Sequence, residues 1–270
     1  MNHAPKHIRD NYTEIIPSVY EGVQNDVYHA SDGLGSHSVI DIGKSIAHYN
    51  WRKKAPLESD SLLKGEALHD LVLLPETFKS KFVIAPTKDK KTNKYKEFVL
   101  DHPTQKVLLP NMYDDIYYMR DALYDNPTIR DILADSTNLR ECSVWVKDIP
   151  TGLLLKCRPD IIVNGIIYDV KTTIAPHDRA FIHSVFEYGY HIQSAFYQYC
   201  CKLNGMTVKD FRFLAVGNKP PYLTAIYNLN ADLLIEANEY IRTSLNRYAE
   251  YIMGTDKWEG LTYGRECVTL

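Results

Sequence analysis

The run RPDIIVNGIIYDVKTT, from Arg158 to Thr173, sets two carboxylates and an ammonium around one short turn. Asn164-Gly165 between β-branched runs is the strongest short-range hairpin signal, since the favoured two-residue loop needs positive φ at both positions. Such a loop sets the register. Val163 faces Ile166, Ile162 faces Ile167, Ile161 faces Tyr168, and Asp160 is expected to face Asp169. Side chains alternate along a strand, so Lys171 shares the face of Asp169, and the same counting places Arg158 opposite Lys171. Cross-strand partners have Cβ atoms about 4.5–5.5 Å apart, where like charges repel, so the aspartate pair calls for a counter-ion. Two readings are open. The aspartates can sit at a solvated hairpin end, paired with Lys171 and Arg158 and doing nothing more. Alternatively they hold a hard divalent cation while the lysine positions or activates a water. Magnesium suits a few carboxylates completed by phosphate oxygens and water, and such a centre hydrolyses phosphodiesters. The apolar flanks place the hairpin inside, where uncompensated charge is costly, and this favours the cation.

The elements that must hold this hairpin follow from periodicity. Ser36-His37-Ser38 is expected to cap a helix running through Val39, Ile42 and Ile46, and LLKGEALHDLVLLP reads as a helix closed by Pro75. The lysine-rich stretch 88–96 (KDKKTNKYK) reads as a solvated loop. Residues 112–124 have helical periodicity, broken at Asn126-Pro127. Residues 142–147 alternate as a strand, and after Pro150-Thr151-Gly152 the run LLLKC forms another. Beyond the hairpin, 180–188 and 192–203 read as helices, 211–216 and 222–227 as strands, and 231–253 as a long closing helix. Helices, then a mixed sheet with helical connections, then a helix make an α/β (α+β) chain. With no internal repeat or low-complexity linker, one domain over 1–270 is expected, helical over about 1–135 and with the core over about 136–270.

Composition narrows the class. The chain has 270 residues, 45% of them hydrophobic, enough for a full core. No apolar run approaches the roughly 20 residues that span a bilayer, and MNHAPKHIRDNYTEI lacks the order of a signal peptide, so a cytoplasmic protein is expected. Five cysteines, an odd number with no C-x-x-C spacing, disfavour a disulfide framework and a structural zinc, and read as reduced, mostly buried thiols. A net charge of −3 excludes binding nucleic acid by bulk electrostatics; any such contact must be local.

Pro159-Asp160 followed by Asp169-Val170-Lys171 resembles the PD-(D/E)-x-K pattern of restriction-endonuclease-like nucleases. His69 in GEALHDLV stands where the RecB-like branch has a metal-binding histidine, and Gln193-x-x-x-Tyr197 matches that branch's Q-x-x-x-Y helix. With YHASDGLGSHSVIDI and GLLLKCRPDIIV, most of the chain resembles the RecE-type exonucleases. The resemblance implies a restriction-endonuclease-like core, a mixed β-sheet flanked by helices. It also implies ATP-independent digestion of linear double-stranded DNA from 5′ ends with magnesium, for which manganese can substitute. A RecT-like single-strand annealing partner, a ring-like homo-oligomer with a tetramer favoured, and a bacterial or prophage origin are implied as well. Carried over, His69, Asp160, Asp169 and the Val170 carbonyl would hold the metal, and Lys171 would orient the attacking water. Gln193 and Tyr197, on one helical face, would hold the hairpin site or a DNA phosphate. Glu66 and Glu141 are further carboxylates within possible reach. The cysteine spacing does not fit the iron–sulfur members of this group, and no G-x-x-x-x-G-K-[ST] loop is present. A catalytically silent DNA-binding or assembly protein, and an endonuclease on the same core, are the competing readings.

Overall fold

In a computed structural model, which describes residues 2–3, 18–55 and 57–255, Asn164 and Gly165 take φ of +53° and +79°. They close the expected hairpin, β8 (Ile161–Val163) against β9 (Ile166–Thr173). Before it the chain runs through β1 (Asn2–His3), β2 (Ser18–Glu21), α1 (Asn25–Ala30), α2 (Ser36–Lys44), α3 (Ile46–Lys54), α4 (Asp60–Leu73) and α5 (Pro75–Lys81). Next come β3 (Phe82–Ile84), α6 (Asn93–Asp101), β4 (Lys106–Leu108), α7 (Pro110–Asp125), α8 (Pro127–Ala134), β5 (Leu139–Arg140), β6 (Ser143–Lys147) and β7 (Leu154–Cys157). After the hairpin follow α9 (Asp178–Glu187), α10 (Tyr190–Leu203), β10 (Asp210–Gly217), β11 (Thr224–Asn228) and α11 (Ala231–Met253).

The hairpin lies inside a five-stranded sheet of order β11-β10-β9-β8-β5. β9 and β10 are parallel and the other neighbours antiparallel, so the sheet is mixed. Period-2 alternation divides its side chains between two cores. Ile162, Ile167, Phe211, Phe213 and Ala215 pack with Ile42 of α2, Phe196 of α10 and Ile241 of α11. Ile161, Val163, Tyr168, Val170, Leu214 and Val216 pack with Leu68 and Val72 of α4 and with Ile116 and Met119 of α7. Helices thus flank the sheet on both faces, as expected for a restriction-endonuclease-like core. A second sheet has the order β1-β2-β6-β7, and β3 and β4 form a small parallel pair.

Local chemistry accounts for the departures from expectation. Gly35 is the N-cap of α2 and no side chain caps it; Ser45 interrupts the helix, its Oγ accepting from His48 N–H, so Ile46 opens α3. Pro75 ends α4 and also occupies the first turn of α5, where its missing N–H costs nothing. The stretch 88–96 is loop only in part: Thr92 Oγ1 accepts from Tyr95 N–H and starts α6. Four short strands, β1 to β4, lie within the part expected to be helical. The β8–β9 ladder ends at Ile161↔Tyr168, so neither Asp160 with Asp169 nor Arg158 with Lys171 forms the expected ladder pair. The Arg158 guanidinium instead turns to β6 and the approach to α1: Nε donates to Ser143 Oγ of β6 at 2.9 Å, Nη2 to the Val23 carbonyl just before α1 at 3.1 Å, and it stacks over the Tyr28 ring of α1 at 4.1 Å.

Cys142, Cys157, Cys200 and Cys201 are free and buried; Cys267 lies outside the described residues. Among the described residues no helix is long and apolar enough to cross a membrane.

Candidate active site

Asp160 stands one residue before β8, and its carboxylate turns to the stretch of β9 that the short β8 leaves uncovered. Its Oδ2 accepts the Val170 N–H at 2.7 Å. Its Oδ1 lies 2.9 Å from His69 Nε2, brought in by α4, whose start is capped by Ser59 and whose inner side is anchored by Ala67, Leu68 and Val72. Glu141 arrives from the residue after β5. Its φ of +50° is left-handed, a conformation that costs a non-glycine residue about 1–2 kcal/mol. The bend lets its N–H reach the Asp160 carbonyl at 3.0 Å and sets its Oε1 3.3 Å from His69 Nε2. His69, Glu141 and Asp160 offer one ligand atom each within 4.8 Å of one another.

Asp169 adjoins them on β9 and is 2% exposed. Gln193 of α10 donates from Nε2 to its Oδ1 at 2.9 Å, and Lys171 Nζ stands 2.5 Å from its Oδ2. That last contact is an ion contact without hydrogen-bond alignment, so among the described residues Oδ2 is a buried acceptor with no aligned donor. The Lys171 ammonium also lies over the Tyr190 ring, 4.8 Å from its centroid. Tyr197, one turn beyond Gln193, packs edge-on to Phe211; burial pushes its hydroxyl well up in pKa, with a hydrogen bond to Gln193 opposing.

The electrostatics are those of a site crowded with carboxylates. Burial alone would lower the His69 pKa, but Asp160, Glu141 and Asp169 outweigh it and hold the imidazole up at about 9. Burial raises Glu141, His69 opposing and the Asp160 charge adding. Asp169 is likewise raised by burial, with Lys171 opposing and Asp160 adding. Asp160 goes the other way: burial works to raise it, but His69, Lys171 and the Val170 N–H hold it below the usual carboxylate range. Carboxylates with one imidazole and no thiolate form a hard donor set that fits a divalent cation, and Asp169 Oδ2, paired with the Lys171 ammonium, is a further hard oxygen.

The chain therefore brings together His69, Asp160, Val170, Asp169, Lys171, Gln193 and Tyr197. It does not bring in Glu66, which Lys106 takes up at 2.6 Å. Glu141, weighed in the sequence without a role, lies among them. Sequence reasoning missed Tyr190; its one signal is its position three residues before Gln193, on the same helical face.

Residues 43–260 match the family described as PDDEXK-like domain of unknown function (DUF3799). This chain belongs to that PDDEXK-like family. Its matched span holds every residue of the candidate site, and the coarse activity is that of a nuclease, of a superfamily generally dependent on divalent metal ions. The crystal structure of a "Putative exonuclease" from Eubacterium rectale superposes with a TM-score of 0.63 at 15% identity, covering 91% of each chain, so the two share a fold. The crystal structure of SSO0001 aligns at a TM-score of only 0.28, with 16% identity over 66% of this chain and 85% of that one. No curated protein matches. Within the PDDEXK-like fold, the mixed sheet carries the site at the hairpin's open end.

Proposed function

We propose that this PDDEXK-like chain is a magnesium-dependent exodeoxyribonuclease that degrades one strand of linear duplex DNA from its 5′ end without ATP, leaving 3′ single-stranded tails. The observation that carries this reading is the convergence of His69, Glu141 and Asp160 beside the Asp169–Lys171 pair. His69, Asp160, Asp169 and the Val170 carbonyl would hold the cation, with Glu141 beside them; manganese would fit the same donors. A strand residue's N–H and C=O point to one edge, so the Val170 N–H bond to Asp160 directs its carbonyl to that side too. When bound, the cation supplies Lewis-acid polarisation of the scissile phosphate and neutralises developing charge. Lys171, held by Asp169 and the Tyr190 ring, donates to the attacking water and orients its lone pair towards phosphorus. Gln193 fixes the Asp169 carboxylate, and Tyr197 backs Gln193. The name of the Eubacterium rectale protein supports exonucleolytic action. Through the RecE-type resemblance, a single cytoplasmic domain assembling as a ring beside a RecT-like annealing protein completes the reading.

The test is digestion of linear and covalently closed circular duplex DNA with magnesium or with chelator. The expected result is loss of the linear form only, abolished by chelator and reduced to background by Asp160→Asn. Cutting of closed circles would assign an endonuclease, and intact DNA throughout a silent DNA-binding protein. End-labelled strands read polarity in the same assay: surviving 5′ overhangs would overturn the 5′-end assignment.

A further inference from the structure

The Tyr190 ring beneath Lys171 meets a second ring, that of Tyr188, at 5.6 Å between centroids with planes 37° apart. Tyr188 is 55% exposed. The backbone beneath these rings is wedged rather than loose. Gly189, between the two tyrosines, has φ +69°, and a Cβ there would lie 2.8 Å from Ile40 Cδ1, so the α9–α10 elbow fits tightly against α2. Gly189 is also the N-cap of α10, the helix that presents Gln193 to Asp169. A rigid, half-exposed aromatic surface is therefore continuous, through Tyr190, with the lysine of the candidate site.

We propose that Tyr188 is a stacking platform for an unpaired nucleobase of the DNA strand held in that site. The inference rests on the nuclease reading and adds a base-binding subsite to it. Removing one strand of a duplex nucleotide by nucleotide leaves bases at the junction without a partner. An aromatic face offers such a base a sequence-tolerant surface, since every base has a π-face. Lys171, paired with Asp169, lies over the Tyr190 ring, so the Tyr188 face adjoins the candidate site through that ring.

Equilibrium binding tests it with no cleavage readout. A fluorescent duplex with a short unpaired terminus is titrated, with calcium replacing magnesium, against wild type, Tyr188→Ala and Tyr188→Phe. The titration is repeated on the same duplex with abasic sites at the unpaired positions. Tyr188→Ala is expected to bind the ordinary duplex about 5–150-fold more weakly, Tyr188→Phe to bind like wild type, and all three to bind the abasic duplex alike. Equal binding by wild type and Tyr188→Ala, or an equal loss on abasic DNA, overturns the proposal. So does a Tyr188→Ala protein that changes its sedimentation and not its DNA affinity, which would give the face to a second copy of the chain. If wild type digests linear DNA while Tyr188→Ala binds unchanged, the stacking inference alone fails; if wild type neither binds nor cuts DNA, the nuclease reading fails with it.

Discussion

His69 faces two carboxylates at 2.9 and 3.3 Å, and their charge holds its proton to about pH 9. An imidazole ligates a cation only after losing that proton, and the raised Glu141 and Asp169 carboxyls must likewise ionise. The sign follows: protons compete with the cation, so cation binding releases protons at neutral pH, and affinity climbs as pH rises towards 9. Calorimetry of magnesium or manganese binding in two buffers of different ionisation enthalpy measures this. Identical heats in the two buffers would mean no proton is displaced and that His69 is not a ligand.

At the scale of elements, α10 carries Tyr190 and Gln193, so its seating decides the geometry around Asp169 and Lys171. Asp148, just past β6 and with no exposed side-chain surface, helps to seat it. Its carboxylate accepts from Tyr199 Oη of α10 at 2.6 Å and from both terminal nitrogens of Arg242 of α11 at 2.9 Å. Burial would raise its pKa, but the hydrogen bonds from Arg242, Thr151 and Tyr199 win and hold it at about 2, below the usual carboxylate range. A folded-state pKa below the unfolded one contributes stability that is present above about pH 4 and is lost as pH falls towards 2. The contribution is about 2 kcal/mol. Asp148→Asn is expected to destabilise the chain by about 2 kcal/mol at pH 7, because the neutral amide loses the charge-assisted bonds from Arg242, whose half-open guanidinium turns to water. In urea unfolding at pH 7 and pH 3, wild type should lose more stability between the two than Asp148→Asn. Equal losses would show that this pair does not carry the acid sensitivity.

Across the whole molecule, the residues proposed to hold the cation come from α4, from the residue before β8 and from β9, with Glu141 arriving after β5, parts of the chain that meet only when it is folded. A ligand that binds only the folded state raises its stability, by about 2.7 kcal/mol at a concentration 100 times Kd. Thermal unfolding should therefore shift upward with magnesium or manganese concentration, and the shift should vanish in Asp160→Asn. An equal shift in both proteins would place the cation elsewhere.

Much of the hairpin was legible before any fold was known, because its determinants are local. Asn164-Gly165 dictates the loop, the loop dictates the register, and period-2 alternation puts Asp169 and Lys171 on one face. The long helices and the mixed sheet were legible for the same reason, through apolar periodicity. Arg158 was misread because counting residues assumes that the ladder continues, whereas β8 stops at Ile161 and the guanidinium finds its partners on β6 and beside α1. Glu141 was legible only as a carboxylate within reach, and the place of Tyr190 not at all: one depends on a left-handed backbone after a two-residue strand, the other on how α10 lies across β9. By itself the sequence determined the hairpin, the face that Asp169 and Lys171 share and the helices that would flank it. Only the tertiary structure decided that His69 meets Asp160, that Gln193 meets Asp169 and that Glu66 meets neither. Those contacts join segments far apart in the chain, and their distances follow from how two cores pack on opposite faces of one sheet.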